Sequence, residues 1–489
     1  MNEMPTKTAE VELFLTNIHD DIKVQTVNSR SRQHLAAILA NFAAICTGVV
    51  MGWTAPALPV LQRESNCSLP LCLSDGQASW MTAFMPLGAL LGAIPVGYLA
   101  DLLGRKRVLL SVAVPFIFGW MLIIFAGDSV WTVYAGRFFT GLGVGASTVL
   151  VPLYCEEIAE DAIRGALGAY LGFMICIGLL CIYTLGALLP YFWYTIIACL
   201  LPFVFVISFM WMPESPVFLA SIGKMEAAKK SLLWLRNSSR EDDIQPEFDG
   251  MLAFIKDRSD EKVRKSFLIF CSKRPFRSTT ARAVAIILGL MFFQQMSGIT
   301  AVESYTVQIF NDAGSSLPGN MSTVVMGAVQ VVATLCSSFT VDHLGRRFLL
   351  LLSSVVMALC LACFSIYSYF NNNGFDVDSW RWVPLVVLNV FVIVYALGFG
   401  PLPWFMMAEL LPMKAKGWAS AMTVSFNWKI ALGLTKEFPL MLKYAGQDIT
   451  YATLSVFCIC GTIFVALFVP ETKGKTKTEI QAALGGDKP

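Results

Sequence analysis

The chain has 489 residues, of which 56% are hydrophobic and only 14% are charged, and its formal net charge is +2. Soluble domains carry about 25% charged residues, so this composition excludes an ordinary soluble protein and indicates a membrane protein. The small net charge also argues against nucleic-acid binding, which requires a strongly basic surface.

Two series of long apolar stretches follow one another along the chain. A helix that spans a bilayer needs about 20 apolar residues. Such stretches begin near Leu35, Ala78, Val108, Val130, Gly165 and Phe192, and again near Arg282, Ser322, Phe348, Arg381, Gly417 and Tyr451. We therefore predict an all-α polytopic membrane protein with about 12 transmembrane helices. Its two six-helix bundles cover 35–211 and 282–470, with tails at 1–34 and 471–489.

The polar segment 212–281 separates the two bundles. Apolar residues recur at helical spacing across 225–236, which predicts amphipathic helices in this linker. We interpret the linker as a structural connection between the bundles and not as a catalytic domain.

Charge in the loops predicts the orientation. Basic residues cluster at 105–107, 224–230, 262–282, 346–347, 414–416 and 473–477, and such loops stay on the cytoplasmic side. Both termini are therefore expected in the cytoplasm. The opposite loops contain glycosylation sequons at Asn66 and Asn320, where we predict modification. A short-loop disulfide is one option for Cys67 and Cys72.

A short charged phrase occurs once in each half. It reads DLLGRKR at 101–107 and DHLGRR at 342–347, in both cases between two apolar stretches. Gly104 and Gly345 are expected to form tight turns, and the acid before each glycine should pair with a base or cap a helix. Simple anchoring by positive charge is the alternative. Internal symmetry of this kind is a signature of transporters.

Opposed charges near this face predict a gating network. A protein that alternates between two conformations needs contacts that exist in only one of them. Exposed ion pairs are worth about 0–1 kcal/mol each, so several must act together. The residues predicted to form breakable salt bridges between the halves are Asp101, Arg105, Arg137, Glu157, Arg164, Glu214, Asp342, Arg346, Arg347, Glu409 and Lys416.

Glycine and proline mark two further features. The glycines at 141, 143 and 145 superficially resemble a nucleotide-binding turn, but no strand precedes them, so they predict close helix packing. The glycines and prolines of 398–403 interrupt the tenth apolar stretch, and we expect that helix to bend there.

Several phrases together resemble the sugar porters of the major facilitator superfamily. They include Gly97-x-x-x-Asp101-x-x-Gly104-Arg105-Lys106, Gly136-Arg137, Pro213-Glu214-Ser215-Pro216, Gln294-Gln295-Met296-Ser297-Gly298-Ile299, Gly400-Pro401-Leu402-Pro403-Trp404 and Pro470-Glu471-Thr472-Lys473-Gly474. They occur in family order over about 35–480. The segments 289–295, 305–310 and 426–428 are most similar to insect facilitated trehalose transporters. The resemblance implies two six-helix bundles joined by a cytoplasmic helical linker.

Polar side chains within the apolar stretches are candidate sugar contacts. Amides both donate and accept hydrogen bonds, which suits hydroxyl-rich sugars, and an indole can cover the C–H surface of a sugar ring. Hydrogen bonding between helices is the alternative, and the chemistry alone does not favour either. The resemblance favours sugar binding for Gln294 and Gln295. The candidate substrate-binding residues are Gln294, Gln295, Thr300, Gln330, Trp404 and Asn427.

The chain departs from the family pattern at several positions. Gly172 stands where a glutamine is usual in the fifth helix, and Glu303 replaces part of an aromatic pair after the seventh. Thr54 occupies the position where proton-coupled sugar porters have an aspartate. Because threonine does not titrate, the usual proton carrier is missing, which favours facilitated diffusion.

The sequence thus predicts a plasma-membrane uniporter for trehalose or a hexose that works by alternating access. The alternatives are a nontransporting sugar receptor, motivated by Gly172, Thr300 and Glu303, and a proton symporter with Glu303 as its carrier. No Ser-His-Asp constellation or metal-ligand spacing is recognisable, so we expect no enzyme, metal or cofactor. The expected partners are a small sugar and the lipid bilayer. The pattern indicates no oligomeric state.

Overall fold

The computed structural model describes residues 30–62, 71–160, 162–259, 279–411, 416–475, 479–480 and 484. The elements in these ranges are helices, and none of the described residues forms a strand. Eleven of the described helices are long and apolar enough to cross a bilayer. The predicted all-α membrane architecture is therefore confirmed.

Six spans form the first half of the molecule. They are Ser31–Leu61, Asp75–Leu103, Arg105–Ile124, Val130–Ile158, Arg164–Leu188 and Tyr191–Phe209. The first span consists of three helical pieces, Ser31–Ala40, Phe42–Gly52 and Thr54–Leu61. A capping box starts the second span, because the Ser74 hydroxyl accepts a bond from the Gln77 N–H while the Gln77 side chain accepts from Ser74 N–H.

The second half has the same number of spans, although its last two form one continuous helix in the hydrogen-bond pattern. The first four are Thr279–Asp312, Gly319–Leu344, Arg346–Asn372 and Asp378–Leu410. The helix Lys416–Phe468 follows, with 53 residues. Gly446 divides it into the eleventh and twelfth spans, because its φ of 85° is non-helical.

Two spans of the second half are broken within the membrane. The seventh runs as Thr279–Met296 and Ile299–Asp312, with Gly298 at φ 88° between the pieces. The tenth runs as Val383–Leu397 and Leu402–Leu410, which confirms the predicted interruption by glycine and proline. Broken helices expose backbone carbonyls that other groups must bind, because the bilayer supplies no water.

The described part of the linker forms three short helices, Pro216–Ser221, Met225–Arg236 and Gln245–Ser259. They enclose a small apolar core of Ala220, Ala228, Leu232, Ile244 and Phe248. Arg236 fastens this unit to the first half: its Nη1 donates to the Ile158 carbonyl at 3.1 Å, and its Nε lies 3.5 Å from the Glu160 carboxylate. The linker is thus docked on the first half.

Close contact between the second and fourth spans holds the first half together. A Cβ added to Gly141 would lie 2.2 Å from the Met85 carbonyl oxygen, and one added to Gly145 would lie 2.0 Å from that of Ala89. A Cβ added to Gly143 would lie 2.7 Å from the Phe116 ring of the third span. These glycines are packing residues, as predicted, because small residues let helix backbones approach closely in membranes.

Gly145→Ala should destabilise the folded protein, because the backbone of the second span would have to move away from the fourth. Overpacking of this kind costs about 1–3 kcal/mol. We expect a lower melting temperature in detergent than for Gly433→Ala, a control at which an added Cβ meets no atom within 4 Å. Equal melting temperatures of the two variants would contradict this packing interpretation.

Candidate functional site

The break in the tenth span is closed by a side chain from the seventh. Pro403 has no N–H, so it cannot donate to the Phe399 carbonyl, and the Trp404 N–H bonds to the carbonyl three residues back. Gln294 fills the gap, because its Nε2 donates to Phe399 O at 2.8 Å and to Gly400 O at 2.9 Å. Its amide therefore completes the backbone hydrogen bonding of a neighbouring helix.

Four of the predicted contact residues form one buried hydrogen-bonded cluster, which we call the amide cluster: Gln294, Gln295, Thr300 and Asn427. Asn427 Nδ2 donates to Gln294 Oε1 at 2.9 Å, and Gln295 Nε2 donates to Asn427 Oδ1 at 3.0 Å. Thr300 Oγ1 donates to Gln295 Oε1 at 2.6 Å. The seventh and eleventh spans are thereby joined, and a ligand that binds here must exchange hydrogen bonds with the cluster.

The two other predicted contacts are not members of the amide cluster. Gln330 of the eighth span is buried, and its Nε2 donates to Glu303 Oε1 at 2.8 Å. Trp404 is half-buried and packs against the apolar core. The sequence interpretation did not predict the Glu303–Gln330 pair, because the two residues are 27 positions apart and only the packing of two spans joins them.

The first half contributes little polarity to this region. An added Cβ at Gly172 would have the Thr334 methyl group, 4.0 Å away, as its nearest contact from another element. One turn further along the fifth span, Cys176 Sγ lies 3.3 Å from Thr334 Oγ1. The missing glutamine at this position thus leaves open space next to the eighth span.

Arg137 corrects the sequence prediction. It was expected among the charges of the basic loops, but it lies two turns into the fourth span and is fully buried. Its Nη1 donates to Val50 O and its Nη2 to Thr54 Oγ1, both at 2.9 Å, and its guanidinium lies 5.4 Å from the Trp53 ring centroid. Thr54, at the position of the family aspartate, thus offers this cation a neutral acceptor.

Polar contacts join the two halves at one end of the membrane. We call the end with the loops at 104 and 345 the basic face, and the other end the opposite face. At the opposite face, Lys443 Nζ lies 2.7 Å from Asp75 Oδ2, and Gln308 Nε2 donates to Gln62 Oε1. These contacts join the second span to the eleventh and the end of the first to the seventh.

The seam between the fifth and eighth spans widens toward the basic face. An added Cβ at Gly327 would lie 3.0 Å from the Tyr183 ring, whereas at Gly172 the nearest contact is Thr334 at 4.0 Å. One turn closer to the basic face, Gly168 would meet nothing within 4 Å. The fifth and eighth spans are therefore in close contact near the opposite face, and the fifth-span glycines nearer the basic face have room for a side chain.

Comparison with known proteins decides the family. The profile of the family "Sugar (and other) transporter" matches residues 30–484. The chain belongs to this sugar transporter family. It is therefore a membrane transporter and not an enzyme.

Curated relatives include the facilitated trehalose transporters Tret1 of Polypedilum vanderplanki, Culex quinquefasciatus and Drosophila virilis. The first is 36% identical over 454 residues, which are 93% of this chain and 88% of the relative. The second is 35% identical and 86% of its length is covered. The third is also 35% identical, but the chain spans only 49% of its length.

Solved structures share the major facilitator fold. The xylose transporter XylE from E. coli, in a partially occluded inward-open conformation, has a TM-score of 0.75 at 21% identity, with 91% of this chain and 100% of that chain covered. The MFS proton:xylose symporter XylE bound to 6-bromo-6-deoxy-D-glucose has a TM-score of 0.74 at 22% identity, with 93% and 99% covered.

In this sugar transporter the two repeated loops are held in the same way. Gly104 has φ 102°, and the next helix is capped by Glu214, whose Oε1 accepts from the Lys106 N–H at 2.8 Å. Gly345 has φ 91°, and Glu471 accepts from the next two backbone N–H groups at 3.1 Å. Both glycines are needed, because a side chain would meet the capping carboxylate and strain the backbone.

The ion pairs of the transporter's basic face lie within each half. Arg105 is paired with Asp101 at 2.7 Å and with Glu157 at 2.8 Å, all in the first half. Arg346 lies 3.4 Å from Glu409, both in the second. These three ion pairs are therefore not bridges between the halves.

The remaining predicted positions lie near the ends of spans or outside the described residues. Arg164 begins the fifth span at the basic face, and Arg347 Nη2 donates to the Ala466 carbonyl. The side chains of Asp342 and Lys416 lie outside the described residues, as does Asn66. Asn320 is exposed in the first turn of the eighth span. Cys72 is disulfide-bonded, and Cys67 lies outside the described residues.

Glu471 should stabilise the transporter in its charged form. Burial alone would raise the pKa of this carboxyl, but the backbone N–H groups of Lys473, Arg346, Arg347 and Thr472 outweigh burial and lower the pKa below its ordinary 4.5. A lowered pKa contributes stability above the ordinary value, and this contribution is lost as pH falls through the folded pKa.

Glu471→Gln should therefore lower the melting temperature in detergent at pH 7 by a few degrees, and the difference from wild type should shrink in acid below about pH 4.5. The matched control is Glu437→Gln, since Glu437 is an exposed carboxylate paired with the adjacent Lys436. A constant difference between Glu471→Gln and wild type at all pH values would contradict the capping role of the charge.

Proposed function

We propose that this sugar transporter carries trehalose or a hexose across the plasma membrane by facilitated diffusion. Its two halves would rock around the amide cluster and expose it to each face in turn. The observation that carries the uniport proposal is the contact of the buried Arg137 guanidinium with the hydroxyl of Thr54 at 2.9 Å. A hydroxyl does not release a proton at physiological pH, so this pair offers no proton to couple to sugar movement.

The contacts between the two halves support the alternating-access part of the proposal. The halves contact each other at the opposite face, and the fifth-span glycines nearer the basic face have open space beside them. We take the basic face as cytoplasmic, with both termini on that side, because positively charged loops are retained there. The contacts between the halves would then lie on the outer side, as expected of a state that faces the cytoplasm.

The amide cluster supports the sugar as substrate. Its members are 2–7% exposed, and each bonds to another member. Amides and a hydroxyl can exchange these bonds for sugar hydroxyls without leaving a group unpaired, because both kinds of group donate and accept. The named relatives are facilitated trehalose transporters, which supports trehalose as the first substrate to test.

Purified protein in liposomes should take up radiolabelled trehalose or D-glucose saturably, and excess unlabelled sugar should compete. Collapse of an imposed proton gradient with a protonophore should leave the initial rate unchanged, because Thr54 cannot carry the proton. Sugar binding without saturable uptake would support the receptor alternative and refute transport. A rate that follows the proton gradient would refute uniport and favour the symporter alternative.

Gln295→Ala should reduce uptake about tenfold or more, because the substitution removes an amide from the proposed site and takes away the partner of Thr300 Oγ1 and of Asn427 Oδ1. Surface expression should stay near wild type. Gln245→Ala is the matched control, since Gln245 is an exposed amide on the linker that bonds to Asp249. Uptake by Gln295→Ala at the wild-type rate would show that Gln295 does not bind the sugar.

A further inference from the structure

Glu303 is a carboxyl group buried at the junction of the two halves. It is 5% exposed and lies on Ile299–Asp312, the second piece of the broken seventh span. The hydroxyl of Tyr183, from the first half, donates to its backbone carbonyl at 3.1 Å. Its side chain faces the eighth span, where Gln330 Nε2 donates to Oε1 at 2.8 Å.

A single side-chain amide donates to this carboxyl among the described residues. Within the described part of the chain, Gln330 Nε2 is the donor to Glu303, and no Lys, Arg or His forms an ion pair with it. The titratable groups that interact with Glu303 electrostatically are Cys176 and Tyr183 of the fifth span and Tyr395 of the tenth. Gln330 Oε1 is also buried, and it has no hydrogen-bond partner.

A buried acceptor without a donor is costly, so an unpaired amide oxygen beside a carboxylate points to a ligand that donates. The pair is also continuous with the amide cluster. Thr300, a member of the cluster, lies one turn before Glu303 on the same helix. A ligand held by the amide cluster would thus have this acceptor pair as its neighbour.

We propose that Glu303 and Gln330 form an acceptor pair that binds neighbouring hydroxyl groups of the sugar and sets its specificity. The inference rests on the proposed function, because it places the substrate at the amide cluster. Neighbouring hydroxyls of a sugar are donors that a carboxylate oxygen and an amide oxygen can each accept. A site built to bind a particular hydroxyl strongly rejects an analogue without it, so Glu303 would select the substrate by its hydroxyl pattern.

The test compares wild type, Glu303→Gln and Gln330→Leu, with Asp376→Asn as an exposed acidic control. Binding of trehalose, D-glucose, the monodeoxy-D-glucose series and D-glucosamine is measured in detergent by thermal stabilisation and by tryptophan fluorescence. Uptake of the same sugars is measured in liposomes. Melting temperatures without sugar report whether each variant is folded.

Glu303→Gln should weaken binding of D-glucose or trehalose about tenfold or more, with a matching rise in KM and little change in maximal rate, because a charge-assisted hydrogen bond is lost. At least one monodeoxy sugar should bind wild type and Glu303→Gln equally, since it lacks the hydroxyl that Glu303 accepts. Gln330→Leu should remove the discrimination at an adjacent hydroxyl. Asp376→Asn should behave as wild type.

Equal affinity of wild type and a folded Glu303→Gln for every sugar would overturn the assignment. So would an equal loss for all the deoxy sugars together with uptake that follows the proton gradient in wild type but not in Glu303→Gln, which would make Glu303 a proton carrier. Preferential binding of D-glucosamine that Glu303→Gln abolishes would identify a cation site instead.

The binding measurements distinguish a failure of the acceptor pair from a failure of the proposed transport function. Wild type that binds sugar without uptake would refute transport, while the comparison with Glu303→Gln would still decide the acceptor pair. Wild type that transports sugar, with Glu303→Gln unchanged in affinity, would refute the acceptor pair alone. Wild type that neither binds nor transports any of these sugars would refute both.

Discussion

The hydrocarbon of a bilayer contains no water to bind polar groups, and this constraint governs the interior of the molecule. Every helix break in the second half needs a partner for its free carbonyls. Gln294 provides one for the break in the tenth span, and Gln295 and Asn427 complete the network that holds the seventh and eleventh spans together. The same groups that stabilise the broken helices are therefore the ones available to a sugar.

Duplication makes each half a rigid unit. In both halves a loop glycine turns the chain, an acidic side chain caps the next helix, and an arginine pairs with a carboxylate of the fourth or tenth span. Glu214 and Glu471 occupy equivalent places in these two clusters. Because these ion pairs are internal to a half, rocking of the halves leaves them intact, and the contacts that change lie along the seam between halves.

Contacts between the halves hold the seam at the opposite face, as one of the two end states of alternating access requires. Asp75 and Lys443, which meet at the closed end, are each more than half exposed, so this pair is weak and easily broken. A weak latch suits a transporter, since the closed end must open in every cycle. Glu303 lies deeper on the same seam and is shielded from water in this state.

The sequence by itself determined the spans, the duplicated halves, the turn glycines and the break in the tenth span, because hydropathy, φ preferences and the missing proline N–H are properties of short segments. Only the tertiary structure decided which polar groups meet. Arg137 was expected among gating charges and instead contacts Thr54, 83 positions away. Likewise, Glu471 reaches Arg346 across 125 positions. Such pairings depend on how whole helices pack, since a buried polar group bonds to whatever neighbour the packing brings within reach.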